Sequence, residues 1–130
     1  MDDCIFCKIS KGDIPAEKIY EDKDILAFLD ISPINKGHVV VIPKEHFSDI
    51  FETPDEVSSK LISATKTIGK ALKKAMEVNR VILTIWGEDV PHTHMHAIPK
   101  KKDDDMYFWK QGKYDEGEIK KIGEKIRSAF

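Results

Sequence analysis

Three of the five histidines, His92, His94 and His96, fall within five consecutive residues at positions i, i+2 and i+4. Histidines at that spacing share a face only in an extended segment, because a helix would carry the middle one to the far side. Pro91 and Pro99 bracket the run and also argue against a helix. On a strand, alternate side chains stand about 6.6 Å apart, so the spacing predicts a row of imidazoles along one groove. Thr93, Met95 and Ala97 then form the packed face. A surface or interior histidine is the ordinary reading for His38 or His46 alone, but it does not account for three in a row. Near neutral pH an imidazole serves as nucleophile, general acid or metal ligand, so the row by itself does not choose a reaction.

Both cysteines, Cys4 and Cys7, stand in one Cys-x-x-Cys. A lone pair that close cannot form the disulfide framework of a small secreted domain. A redox motif follows a strand and opens a helix, whereas only three residues precede Cys4, so metal binding is the favoured chemistry. Two arrangements are possible. In the first, two histidines of the row join His38 or His46 around a catalytic zinc whose fourth position holds water. In the second, one end histidine of the row joins Cys4, Cys7 and His46 in the closed four-ligand set of a structural zinc, which uses every cysteine. With His92 as that ligand at ~2.1 Å, the metal lies too far from His94 to act on the same reacting atom.

Lys plus Arg number 21 and Asp plus Glu 23, and the net charge of −2 offers no general attraction for nucleic acid or an anionic membrane. The acidic start Met1-Asp2-Asp3 has no basic or apolar leader region, and no stretch approaches the ~18 apolar residues of a membrane span. The expectation is a soluble cytoplasmic protein of one domain over 1–130, with its core over about 4–99.

The surrounding elements must hold the histidine row. Ile19 to Glu21 and Ile25 to Leu29, flanking Asp22-Lys23-Asp24, predict a β-hairpin. His38 to Ile42 is a β-branched run ended by Pro43, the composition of a buried strand. Thr53 as cap, Pro54 at the first helical position and Glu56 three after the cap predict a helix start. Val57, Leu61, Ala64, Ile68, Leu72 and Ala75 then lay one apolar stripe to about Met76. Arg80 to Trp86 reads as a strand, Gly87-Glu88-Asp89 as a turn, and His92 to Ile98 as an antiparallel partner strand closed by Pro99. Lys100 to Lys113 has no period and reads as a linker or lid. Ile119, Ile122, Ile126 and Ala129 predict a terminal helix capped by Asp115. Strands mixed with two helices predict an α+β architecture.

Taken together, Cys4-Ile5-Phe6-Cys7-Lys8-Ile9, Ile14-Pro15-Ala16, Tyr20-Glu21-Asp22, Ala27 to Pro33, Gly37 to His46 and His92-x-His94-x-His96 resemble the histidine triad family in order and spacing. The resemblance implies a five-stranded antiparallel sheet with one long helix and a C-terminal helix, continued across a homodimer, and a nucleotide groove on each subunit. It implies that His94 attacks the α-phosphate of a phosphoramidate, mixed anhydride or dinucleoside polyphosphate. Water then cleaves the nucleotidyl-histidine and releases a nucleoside monophosphate. His96 and His38 match positions that contact phosphate or complete the histidine network. A histidine at 96, where uridylyl transferases of this kind carry glutamine, favours hydrolysis over group transfer.

Ile5, Phe6, Ile9, Phe28 and Ile31 match the family's apolar base pocket for a purine-type nucleotide, and Asp30 the acid that binds the ribose hydroxyls. Cys4, Cys7, His46 and His92 match the structural zinc ligands of zinc-bearing members. Trp86 and Trp109 are candidates for stacking at the rim. This chain departs from the family beside the phosphate, where Glu88 and Asp89 replace neutral donors. A carboxylate repels phosphate, so the contact is assigned to the backbone of the turn through Gly87, Asp89 and Val90. Two competing readings are a zinc-stabilised nucleotide-binding or scaffold dimer with little turnover, and a three-histidine catalytic zinc hydrolase.

Overall fold

The computed structural model describes residues 3–87, 89–104 and 110–130. Five strands form one antiparallel sheet in the order β1-β2-β3-β5-β4: β1 Lys18–Glu21, β2 Ile25–Leu29, β3 Val39–Pro43, β4 Arg80–Thr84 and β5 Met95–Lys100. The β1–β2 hairpin is tight because the Asp22 carboxylate accepts the amides of Asp24 and Ile25, both at 2.8 Å. Every residue of β2 and β3 is buried, which explains why their sequences are apolar without alternation.

Alternation does operate, but between two cores. Ala27, Leu29, Val39 and Val41 face the long helix α2, Asp55–Ala75, and pack on Leu61, Ile68 and Leu72. Leu26, Phe28, Val40 and Ile42 face the other way, onto α1, Ile5–Lys11, and its residues Phe6, Cys7 and Ile9. The terminal helix α3, Glu118–Ser128, adds Ile122 and Ile126 to the first core. Each fully buried aliphatic side chain is worth about 1.5–3 kcal/mol, so both layers stabilise the central strands. Helix α1 was not foreseen from the sequence. It is short, its N-cap is Cys4, whose sulfur accepts the Cys7 amide at 3.4 Å, and it ends on Gly12 in the left-handed region (φ 85°).

Five expected element ends lie elsewhere. Helix α2 starts at Asp55, because the Thr53 hydroxyl donates to the Asp49 carbonyl at 2.7 Å and lies 2.6 Å from the Thr93 hydroxyl instead of capping the helix. Strand β4 stops at Thr84, two residues short of Trp86, because Thr84 pairs with His96, near the end of the ladder. Strand β5 starts at Met95, not His92, because the His92 amide closes a turn onto the Val90 carbonyl and the Thr93 amide bonds Phe47. It also runs on through Pro99, paired with Val81, to Lys100. Helix α3 starts after Gly117, and Asp115 does not cap it. The Glu118 carboxylate reaches back to accept the Asp115 amide at 2.8 Å. Among the described residues no helix is long and apolar enough to cross a membrane.

Candidate active site and metal centre

Helix α1, the segment Ile14–Ala16, strands β2 and β3 and the start of β5 enclose a cleft of about 230 Å³. Its floor and walls are mainly apolar, with His94, His96, Asp30 and Asp89 as the polar groups. That composition, an apolar pocket with a few convergent polar groups, suits a flat apolar ligand carrying a polar tail. Phe6 sets the inner wall. Its ring stands edge-on to Phe28, with centroids 5.6 Å apart, and to His94, at 5.1 Å.

The hydrogen bonds around the histidines fix where each proton sits. The Ile34 amide donates to His38 Nδ1 at 3.1 Å, so that nitrogen carries a lone pair and His38 is protonated on Nε2. His38 Nε2 lies 2.8 Å from His96 Nδ1 and donates to it, which places the His96 proton on Nε2. His94 Nδ1 lies 2.7 Å from the His92 carbonyl and can only donate there, which leaves His94 Nε2 as the basic nitrogen. The rings of His94 and His96 are nearly perpendicular, with centroids 5.0 Å apart. Burial, then the neighbouring His96 and His94, pushes His38 down to about 3. Burial and His94 push His96 down to about 4, against the opposing pull of Asp89. Both rings are therefore neutral at neutral pH, as this proton arrangement requires.

Asp30 ends β2 beside this chain. One carboxylate oxygen accepts the Ser32 amide at 2.8 Å, and the other lies 3.8 Å from His38 Nε2, too far for a hydrogen bond. Burial raises its pKa and Asp89 adds to that, while the Ser32 amide and His94 oppose it.

Behind Phe6, whose ring stands edge-on to His92 with centroids 5.9 Å apart, lies a cluster of sulfur and nitrogen. The donor atoms of Cys4, Cys7, His46 and His92 all lie within 4.8 Å of one another. His92 Nε2 donates to the Pro43 carbonyl at 2.8 Å, which leaves Nδ1 as a lone pair among the cysteines. His92 Nδ1 is 3.3 Å from the Cys4 sulfur, 3.5 Å from the Cys7 sulfur and 3.2 Å from His46 Nδ1, and His46 Nδ1 is 3.3 Å from the Cys7 sulfur. A tetrahedron with zinc-like bonds to nitrogen and sulfur has edges of roughly 3.3–3.8 Å, so these residues fit a closed zinc site. Burial raises the Cys7 thiol, as does the adjoining Cys4, and a bound cation would reverse that balance. Burial lowers His92, with the Pro43 carbonyl opposing. Its neutral form is the ligating one.

The expected row of three histidines is thus split. His94 and His96 line the cleft, while His92 turns to the cysteines because its amide closes the turn onto Val90 and its ring is held by the Pro43 carbonyl. Ile5, Phe6, Ile9, Phe28, Asp30, Ile31, Asp89 and Val90 come together around the same cleft. His38 lies behind His96 and does not line it, and neither does Gly87. Trp86 stands outside the lining, and Glu88 and Trp109 lie outside the described residues. Sequence reasoning assigned no role to Ile14, Pro15, Ala16, Leu29 and Val40, which complete the walls. Their signals were the blocks Ile14-Pro15-Ala16, Ala27 to Pro33 and Gly37 to His46, and the place of the first in space depends on the Gly12 turn.

The HIT domain family model matches residues 11–103. An uncharacterised HIT-like protein of Methanocaldococcus jannaschii is 40% identical over 93% of this chain and 88% of its own length. The adenosine 5′-monophosphoramidase of Schizosaccharomyces pombe is 41% identical over 96% of each chain. The solved structure of a zinc-bound histidine triad protein from Mycobacterium smegmatis superposes with a TM-score of 0.90 at 31% identity, covering 98% of this chain and 93% of that one. With the paired histidines at the cleft and the Cys₂His₂ cluster behind them, these likenesses show that the chain belongs to the histidine triad, or HIT domain, family.

Proposed function

We propose that the protein hydrolyses nucleotides at the α-phosphate, acting on nucleoside phosphoramidates, mixed anhydrides or dinucleoside polyphosphates. The observation that carries this reading is the bond from His94 Nδ1 to the His92 carbonyl, which leaves Nε2 as the nitrogen turned to nucleophilic attack at the polar end of an apolar cleft. The base lies among Ile5, Phe6, Ile9, Phe28 and Ile31, and the free oxygen of Asp30 accepts from a ribose hydroxyl. His94 Nε2 bonds to phosphorus as the bond to the leaving group breaks. His96 Nε2–H, facing the same phosphate, donates a hydrogen bond to the leaving nitrogen or oxygen, which takes its proton from solvent, and His38 Nε2–H holds His96 in the required tautomer. Water then attacks phosphorus and loses a proton to solvent as the bond to His94 breaks, and the nucleoside monophosphate leaves with His94 restored. The named activity of the S. pombe relative supports the phosphoramidate class.

Cys4, Cys7, His46 and His92 hold zinc in this reading, and the bound metal supplies structural stability by tying α1 to the segment before β5. Free Cys4 and Cys7 suit a reducing cytoplasm. The whole chain acts as one domain, since α3 packs into the main core. The edge position of β4, with Leu83 40% and Trp86 38% exposed, supports a homodimer whose sheet continues across two copies. A second reading, nucleotide binding with slow turnover, is favoured by Asp89, whose carboxylate stands at the phosphate end of the cleft.

Incubation with an adenosine phosphoramidate, followed by intact-mass measurement, tests the reading. A transient nucleotidyl adduct that His94→Ala abolishes is expected. Turnover that survives His94→Ala would sink it, and binding without an adduct or turnover would favour the scaffold reading.

A further inference from the structure

The C-terminal segment beyond the family-matched residues 11–103 meets the peptide group that holds His38. The Gly112 amide donates to the Pro33 carbonyl at 2.7 Å. The nitrogen of that same peptide is the Ile34 amide that donates to His38 Nδ1 at 3.1 Å. A peptide group is planar, so holding its oxygen fixes where its N–H points. A hydrogen bond accepted at the carbonyl also polarises the N–H at the other end and strengthens it as a donor. The Tyr114 hydroxyl accepts the Gly37 amide, next to His38, at 3.3 Å, and Lys36 pairs with Glu118 at 2.8 Å.

We propose that Gly112 and Tyr114 are positioning residues for the histidine relay. They hold the Pro33–His38 loop so that His38 keeps its Nε2–H tautomer, and His96 in turn presents Nε2–H to the leaving group. The continuous path is Gly112 N–H to Pro33 C=O, Ile34 N–H to His38 Nδ1, and His38 Nε2–H to His96 Nδ1. The catalytic consequence rests on the hydrolase reading; the tautomer does not.

The test uses full-length protein labelled with nitrogen-15 at histidine. In the wild type, the imidazole spectrum should show His38 and His96 each protonated at Nε2, with Nδ1 as an acceptor. Gly112→Pro removes the donor, whereas Gly112→Ala keeps it but sets its methyl 3.3 Å from the Pro33 oxygen, a tight contact that shifts the carbonyl by a few tenths of an ångström. Gly112→Pro should bring up the other His38 tautomer and lower kcat about tenfold, the equivalent of one ordinary hydrogen bond, with KM for the phosphoramidate unchanged. Gly112→Ala, which keeps the donor, should change the spectrum and kcat less than Gly112→Pro. If Gly112→Pro fails to fold, Tyr114→Phe serves, with the same spectral change and a kcat loss of roughly threefold expected. A wild-type His38 protonated at Nδ1, or folded variants with an unchanged spectrum and kcat, would overturn the inference. A spectral change in a protein that never turns substrate over would sink the hydrolase reading and leave the positioning role standing.

Discussion

The main-chain carbonyl of His92 lies 2.7 Å from Nδ1 of His94, while the ring of His92 points the other way and offers its own Nδ1 to the cysteines. One residue therefore joins the metal cluster to the cleft. Its ring belongs to the Cys₂His₂ cluster and its backbone decides which nitrogen of the neighbouring imidazole carries the proton. The two sites should be separable by mutation, since the side chain of His94 takes no part in the cluster.

The first expectation concerns His94→Ala. Zinc content measured by mass spectrometry should match the wild type, and nucleotide should still bind, while turnover falls by roughly a thousandfold or more. Loss of zinc with His94 would instead point to a three-histidine catalytic metal.

Cys7→Ser should do the reverse. It removes a ligand from a closed site, so zinc is lost and Tm falls by roughly 10 °C in a calorimetric scan. Chelator treatment of the wild type should lower Tm in parallel, and turnover should fall only as the fold is lost. Immediate inactivation of still-folded protein would contradict a structural metal.

Acid should unfold the protein in a defined window. His38 and His96 are depressed to about 3 and about 4 in the folded state, below the ordinary value near 6.5 that the unfolded chain keeps. The unfolded state therefore binds protons first. The stability is fully present above pH 6.5 and is lost as pH falls through 6.5 toward 4 and 3, each histidine removing up to about 1.4 kcal/mol per pH unit. Urea midpoints measured between pH 7 and pH 4.5 check this, and a flat profile would show that the two rings are not buried neutral.

Asp30→Asn should weaken discrimination between an adenosine phosphoramidate and its 2′-deoxy analogue. Loss of a charged acceptor to a ribose hydroxyl is worth roughly 1.5–3 kcal/mol, so the ratio of kcat/KM values should shrink at least about tenfold. An unchanged ratio would remove Asp30 from the ribose site.

Gly37→Ala tests the loop that carries His38. Gly37 has φ +92°, and a Cβ there would lie 3.1 Å from both Met76 and Pro99 side-chain atoms. Strain plus crowding should cost roughly 1–3 kcal/mol in chemical denaturation, whereas the same change at the open Gly12 should cost less.

Much of this protein is local and was therefore legible without coordinates. The apolar stripe from Leu61 to Leu72 requires a helix with one buried face, and the run Val39 to Ile42 requires a strand covered on both sides. The chemical types also stand in the chain: a Cys-x-x-Cys, an alternating histidine run and an acid at the end of a strand. What the chain alone could not decide was direction. Whether His92 belongs with His94 or with Cys4 depends on a turn closed onto Val90 and on contacts to Phe47 and Pro43, residues close in space but not all close in sequence. Helix α1 escaped because a seven-residue helix has too few turns to show a period, and it is stabilised by Cys4 and by packing on β2 and β3. The protonation of the relay is likewise tertiary. It is set where the Ile34 amide meets His38 and His38 meets His96, 58 positions apart, because a ring nitrogen's role depends on its hydrogen-bond partner and not on its neighbours in the chain.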